Sequence, residues 1–240
     1  MHTYDRKTRR PGLAFLIALS ATAIGVAPLS GQSAETDPWE VSFGQVASVV
    51  GALAVGFIPT VFNINDGLPT CAPCDPATLP GIDRWAVSTE RTQFDTVSDV
   101  MILLLGAGTW YELNKLPNGN AHVAASVEAT AWTFGVNQLA KAIINRNRPV
   151  LYSEDALEHR ESVNSHRSMY SAHVSTAFAL GTSYYLSASD KTGFDRSWPL
   201  ISAAAIAALR LAAAKHFPTD ILVGVVMGTA TAIVFNSIRF

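Results

Sequence analysis

The sequence predicts an all-α protein, a membrane-embedded bundle of about six core helices with its polar clusters at one end. Several apolar segments reach helical length, and no stretch shows the alternation of apolar and polar residues that is typical of strands. The loops between these segments alternate between short and long. Composition leaves the membrane question open, because 49% hydrophobic residues is ordinary for a globular protein while 15% charged residues is low.

The N-terminus divides the chain into a leader and one helical domain. A basic stretch that contains Arg6 and Arg10 precedes an apolar run over residues 13–29 and then small residues suited to cleavage. We therefore predict a signal peptide or an N-terminal anchor over 1–34 and a helical domain over 35–240. The pattern leaves open whether the leader is cleaved.

The first half of the domain contains two long apolar segments. Residues 41–62 are uncharged and just long enough to span a bilayer. A short amphipathic helix is predicted at 81–85 and a longer apolar helix at 97–113. Ser98 and Asp99 near the start of the longer helix are predicted to cap it.

The two cysteines of the chain lie in the loop that separates these segments. Cys71 and Cys74 are spaced as Cys-Ala-Pro-Cys within residues 63–79, which are rich in Pro, Asn, Asp and Gly. Export would favour a short-loop disulfide. Two free thiols remain an alternative, and redox catalysis is disfavoured because no strand–helix–strand pattern surrounds the pair.

The second half predicts four further helices and one long polar loop. The loop at 145–167 exceeds about 15 residues, a length that is usually functional or disordered. Gly224 and Gly228 have the spacing of a close helix–helix contact. The predicted helices cover residues 121–144, 168–185, 198–214 and 221–235.

An ionisable cluster lies at the junction of the last two apolar segments. Arg210, His216 and Asp220 stand where burial is costly unless charged groups pair. A carboxylate can hold a histidine in one tautomer, and an arginine can bind an anion with two hydrogen bonds. The cluster indicates nucleophilic or acid/base chemistry on an anion, and a helix-end ion pair is the alternative. The net charge of −2 argues against nucleic acid as a partner.

Two more polar clusters lie at predicted helix ends. Lys141, Arg146 and Arg148 approach a helix end that Pro149 terminates, and such close cations repel unless an anion lies between them. Favourable interaction with the helix dipole is the alternative.

The second of these clusters opens the next helix. Ser171 is a good N-cap, and the free N–H groups after it form a natural anion site that His173 would face. A capped helix with a half-exposed histidine is the alternative. Helix alternation brings all three clusters to one face of the bundle, where their cations, imidazoles and hydroxyl suit a phosphoryl group.

These motifs resemble a known family. Lys141-x6-Arg148-Pro149, Ser171-Ala172-His173 and Arg210-x5-His216-x3-Asp220 are similar to the three ordered motifs of the type 2 phosphatidic acid phosphatase superfamily, which also contains the vanadium haloperoxidases. The middle motif departs from the usual Pro-Ser-Gly-His, since Tyr170 replaces the proline and Ala172 the glycine. The alanine Cβ could hinder close approach of phosphate and disfavours a positive φ.

The resemblance implies a phosphoric monoester hydrolase, acting on a phosphomonoester or a pyrophosphate, that uses a phosphohistidine. His216 is expected to attack phosphorus, Asp220 to orient its imidazole, and His173 to protonate the leaving group and activate water. The phosphoryl oxygens are expected to be bound by Lys141, Arg148, Ser171, the Ala172 N–H and Arg210. No metal or other cofactor is implied, and vanadate is expected to act only as a phosphate mimic.

The resemblance also frames the substrate and the location. A phosphorylated lipid at a membrane and a small phosphoester are both expected substrates, and the sequence says nothing of protein partners. We expect a bacterial envelope protein with its site facing the periplasm. The alternatives are a soluble exported acid phosphatase, a haloperoxidase, and a catalytically weakened lipid-phosphate-binding protein.

Overall fold

The computed structural model describes residues 41–64 and 71–240, and within these ranges the regular secondary structure is helical. The predicted all-α class is confirmed. The leader predicted over 1–34 lies outside the described residues. The boundary at residue 35 and the extent of the predicted domain therefore remain predictions.

Six long helices and two one-turn helices make up the described chain. The long helices agree with the prediction of about six core helices. In order, the helices are α1 (Phe43–Val61), α2 (Gly81–Arg84), α3 (Thr92–Asn114), α4 (Gly119–Ile144), α5 (Ala156–His159), α6 (Ala172–Ser187), α7 (Gly193–Ala212) and α8 (Pro218–Arg239).

The start of α3 corrects one prediction. The helix begins at Thr92 after Arg91, which makes no side-chain capping bond, so Ser98 and Asp99 lie inside the helix and do not cap it. Ser98 Oγ donates to the carbonyl oxygen of Asp95 at 2.7 Å. The two residues resembled caps because short polar side chains are common at N-termini, whereas here they face other helices.

Helix α6 is the centre of the bundle and packs against α3, α4, α7 and α8. Its contact with α8 is close because α8 presents glycines. A Cβ added to Gly228 would lie 2.0 Å from the carbonyl oxygen of Ser175, and one added to Gly224 would lie 3.2 Å from that of Ser171. The Gly-x-x-x-Gly spacing therefore marks the close helix contact that it predicted.

The motif-bearing helix ends meet at one end of the bundle. Ser171 N–H, before α6, donates to the carbonyl oxygen of Asp220 in the first turn of α8 at 3.3 Å. The segment after α4 joins them, because Arg146 Nη1 donates to Thr219 Oγ1 in the first turn of α8 at 2.7 Å. The polar loop that connects α4 to α6 is thus folded over this end and contains two 3-10 turns, Pro149–Tyr152 and Val163–His166.

Cys71 and Cys74 form the predicted disulfide. Cys74 N–H donates to the carbonyl oxygen of Leu151 at 2.8 Å, and Asn147 Nδ2 donates to Cys74 Sγ at 3.3 Å. The disulfide loop therefore lies at the same end of the bundle as the three motifs.

Two helices are long and apolar enough to cross a membrane. They are α1, with a mean hydropathy of 1.6, and α8, with a mean hydropathy of 2.0. In each, 28% of the apolar window is buried inside the protein, so most of that surface is available to another apolar phase. This finding gives weak support to the predicted membrane association.

Candidate active site

His216 lies in the turn between α7 and α8. Ala214 has a φ of 55° and takes the left-handed conformation that often ends a helix, and so turns the chain before His216. The His216 side chain is 1% exposed, and its Nδ1 lies 2.8 Å from the carbonyl oxygen of Ser168. A carbonyl only accepts, so Nδ1 carries the hydrogen and Nε2 of the neutral ring has a free lone pair.

This geometry corrects the expected role of Asp220. Its nearest oxygen is 3.9 Å from His216 Nδ1, too far for a hydrogen bond. Instead Asp220 Oδ2 accepts from Ser168 Oγ at 2.6 Å and from Phe217 N–H at 2.9 Å. Asp220 therefore fixes the two segments that hold the imidazole, and Ser168 orients the ring directly.

Arg210 ends α7 and is held by carboxylates of α3. Its Nη1 donates to Asp95 Oδ1 and to Ser98 Oγ, the latter at 3.0 Å, and lies 3.6 Å from Asp99 Oδ1. Its Nε is buried and has no hydrogen-bond partner in the described ranges. One edge of this guanidinium is thus fixed, while the other retains an unused donor.

Asp95 is shared between two cations. Besides Arg210 it pairs with Lys215, whose Nζ lies 3.0 Å from Asp95 Oδ2. Burial alone would raise the pKa of Asp95, but the two cations outweigh it and the pKa is lowered. Asp95 therefore stays charged and holds Arg210 in place.

His173 lies in the first turn of α6, and a second carboxylate of α3 holds it. Its Nε2 is 2.7 Å from Asp99 Oδ1. Burial lowers the pKa of His173, and the charge of Arg210 lowers it further, while Asp99 acts in the opposite direction. This pairing gives His173 a fixed orientation and a neighbour that favours its protonated form.

Lys141 and Arg148 are the cations of this end that lack a carboxylate partner. Within the described residues neither forms an ion pair or a side-chain hydrogen bond, and Arg148 Nε is buried. Burial and then Arg148 lower the pKa of Lys141 to about 7, and burial and then Arg210 lower the pKa of Arg148 to about 10. Such a group of cations is costly without a counter-ion, so it is ready for an anion.

The middle motif forms a capped helix start, as predicted. Ser171 is the N-cap of α6, and Val174 N–H donates to its Oγ at 3.5 Å. Ala172 is the first helical residue and does not have a positive φ, so the alanine imposes no backbone strain here. Tyr170 is buried, and its carbonyl oxygen accepts from Asn137 Nδ2 at 2.7 Å.

Arg146 belongs to the scaffold, which corrects the idea that it faces an anion. Its Nη2 lies 2.6 Å from Asp83 Oδ2 and its Nη1 2.5 Å from Asp220 Oδ1. The same Nη1 donates to Thr219 Oγ1 at 2.7 Å, and the guanidinium lies 4.6 Å from the centre of the Phe217 ring. Arg146 thus joins α2 to the start of α8, and both of its terminal nitrogens bind carboxylates of the scaffold.

The three motifs converge on His216. Burial lowers its pKa well below the ordinary value, and the charges of Arg210, Arg148, Lys141 and His173 lower it further. The ring is therefore held neutral, as a nucleophile must be, beside cations that suit an anionic substrate.

Comparison with known proteins agrees with this convergence. The sequence profile described as the PAP2 superfamily matches residues 122–240.

The chain belongs to the PAP2 superfamily.

No curated protein and no solved structure matched the chain. Membership of the PAP2 superfamily supports a phosphatase activity on a phosphorylated substrate of some kind. All three motifs, from Lys141 to Asp220, fall within the matched residues.

Several polar residues of this PAP2 site were not predicted. They lie outside the three motifs and each holds one residue of the site. Asp83 holds Arg146 and Asp95 holds Arg210. Asp99 holds His173, and Ser168 holds His216. One sequence signal was available: Asp95 and Asp99 are one helical turn apart at the polar start of an otherwise apolar helix. Within residues 41–64 and 71–240, no group of three or more His, Cys, Asp or Glu side chains could hold a metal ion.

Proposed function

We propose that this PAP2 superfamily member hydrolyses a phosphomonoester or pyrophosphate through a phosphohistidine, without a metal or other cofactor. One observation carries the proposal: two differently held imidazoles share one end of the bundle with cations that lack carboxylate partners. A phosphoryl group is the anion that uses both features, because it needs charge neutralisation and a nucleophile.

The reaction has two balanced steps. His216 Nε2 attacks phosphorus, the bond from phosphorus to the leaving oxygen breaks, and His173 supplies the proton that this oxygen takes up. Water then attacks phosphorus while His173 accepts a proton from the water. The bond from phosphorus to His216 Nε2 breaks, inorganic phosphate departs, and His216 is regenerated. Ser168 keeps His216 Nε2 unprotonated for the first step, because it accepts the hydrogen on Nδ1.

The cations stabilise the charge that develops on the transferred group. Arg148 and Lys141 supply unpaired positive charge, and Arg210 supplies its free Nε. Ser171 and the Ala172 N–H lie at the start of α6, where a helix favours negative charge. Vanadate can adopt the trigonal-bipyramidal geometry of a phosphoryl group in transfer, so it is expected to inhibit as a phosphate mimic.

A phosphorylated lipid is the substrate class that we favour. The apolar helices α1 and α8 support this choice, as do large side chains that remain exposed on several helices, among them Val50, Leu104, Leu222 and Val226. A disulfide beside the site agrees with an exported location that faces the periplasm. A soluble exported acid phosphatase that acts on small phosphoesters is the alternative.

The test is a phosphate-release screen on the purified full chain. The substrates are phosphatidate, phosphatidylglycerol phosphate, a polyprenyl pyrophosphate and p-nitrophenyl phosphate. We expect turnover of a lipid substrate that His216→Ala abolishes, and retention in the membrane fraction after carbonate extraction. Turnover of p-nitrophenyl phosphate alone by a carbonate-soluble protein would support the alternative, and undiminished turnover by His216→Ala would overturn the mechanism.

A further inference from the structure

Helix α3 lies outside the three family motifs yet places two carboxylates in the site. Asp95 and Asp99 are one turn apart and differ in their partners. Asp95 bonds Arg210 and Lys215. Asp99 Oδ1 lies 2.7 Å from His173 Nε2 and 3.6 Å from Arg210 Nη1, so its shorter contact is with the imidazole.

The exposure of the pair indicates a role beyond structure. The side chain of Asp99 is 56% exposed and that of His173 is 27% exposed, whereas Arg210 is 4% exposed. A pair whose carboxylate is exposed adds little to stability, because water screens that charge. The contact is nevertheless within hydrogen-bonding distance, and it brings Asp99 beside both His173 and Arg210.

We propose that Asp99 is a positioning residue for His173. The Asp99 carboxylate accepts the hydrogen on His173 Nε2, so that His173 Nδ1 exchanges the proton with the leaving oxygen and with water. This inference rests on the proposed function and assigns the proton-transfer atom within it. An ionised carboxylate only accepts hydrogen bonds, so Nε2 must be the donor. The tautomer of the neutral ring then leaves Nδ1 as the base.

Charge supports the same assignment. The charged and titratable groups that face His173 are Asp99 from α3, Lys141 from α4, Arg210 from α7 and His216 from the turn after α7. Burial first, and then Arg210 and Lys141, lower the pKa of His173, and Asp99 opposes them. Without this carboxylate the ring would lose its proton at a lower pH and would be a poorer proton donor near neutrality.

Leaving-group dependence tests this role. In Asp99→Asn the amide oxygen can still accept from Nε2, but the charge is gone. We expect kcat/KM on an alkyl phosphate to fall by about 10²-fold, because its alkoxide must be protonated as it leaves. The value on p-nitrophenyl phosphate should fall by less than about threefold, since nitrophenolate leaves without a proton and so requires little acid catalysis.

The pH profile gives a second readout that a merely structural role would not move. In Asp99→Asn the decline of alkyl phosphate kcat/KM with rising pH should begin at lower pH than in the wild type. Asp99→Glu should restore both the profile and most of the rate. Asp190→Asn, an exposed carboxylate between α6 and α7, is the matched control and should leave both unchanged.

The outcomes separate this inference from the proposed function. If the wild-type protein releases phosphate but Asp99→Asn slows both esters equally with an unmoved profile, the positioning role is wrong and the proposed function stands. If the wild-type protein hydrolyses neither ester nor any lipid phosphate, the proposed function itself fails. Circular dichroism of each variant establishes that the helices are intact.

Discussion

Arg146 and Arg148 are two residues apart, yet their environments are opposite. Arg146 is enclosed by Asp83 and Asp220, at 2.6 and 2.5 Å. Arg148 has a buried Nε without a hydrogen-bond partner in the described chain, and burial and then the charge of Arg210 lower its pKa. Spacing alone could not tell the two apart, because both follow the end of α4 by a few residues.

The comparison shows what distinguishes a scaffold cation from a ligand-binding one. Buried charge persists where it is paired, and a cation left unpaired beside others implies an anion that the protein binds. By this criterion Arg146 belongs to the scaffold, and we propose that Arg148 and Lys141 bind the substrate. The following predictions test that division, beginning with the largest effect.

Arg146→Met should destabilise the protein more than any other single change at this end. It leaves the carboxylates of Asp83 and Asp220, both fully buried, without their cation. Breaking a buried ion pair in this way costs about 3–5 kcal/mol. Chemical denaturation of the purified protein measures the loss, and a cost below about 1 kcal/mol would show that Arg146 is not a scaffold residue.

Arg148→Met is the matched variant and should lower activity without lowering stability. We expect kcat/KM to fall by about 10²–10³-fold, as when one oxyanion donor is removed. Stability should stay level or rise, because a buried like-charge repulsion with Arg210 disappears. Steady-state kinetics and denaturation on the same preparation check both, and a variant that unfolds but retains kcat/KM would reverse the division.

Lys141→Arg should alter the pH dependence of anion binding. The pKa of Lys141 is lowered to about 7, so its charge, and the affinity for an anion, should be lost as pH rises through that value. Arginine keeps its charge, so the variant should hold affinity at higher pH. Sulfate suits this test because its own charge is constant over the range.

Competitive inhibition by sulfate between about pH 6 and 9 is the measurement. The wild-type inhibition constant should rise by up to about tenfold per pH unit above 7, and more steeply than that of Lys141→Arg. Parallel curves for the two proteins would mean that Lys141 does not carry the anion's counter-charge.

Much of the fold could be predicted because long helices leave a recognisable pattern of apolar residues in the sequence. Apolar segments of helical length located the six long helices, and Gly224 and Gly228 located one contact between them. The errors lie at helix starts. Helix α3 begins five residues before its predicted start at residue 97, because the added turn, Thr92 to Thr96, is mostly polar and does not continue the apolar pattern.

The candidate site could be predicted only in part. The three motifs predicted its main groups, because the spacing and order of those residues can be recognised directly in the sequence. The groups that hold them could not be named, because Asp83 and Asp99 meet Arg146 and His173 only after folding brings distant segments together. The role of Ser168 could not be predicted for a further reason. It orients His216 with its backbone carbonyl, which any residue type could supply.

Trapping the phosphorylated protein shows directly which residue carries the phosphoryl group. Acid-labile, alkali-stable label from a phosphate-labelled substrate, quenched within the first turnovers and mapped by peptide mass spectrometry, should lie on His216. It should be absent in His216→Ala and should persist longer in His173→Ala, which cannot activate water. Label on any other residue, or undiminished labelling of His216→Ala, would contradict the account.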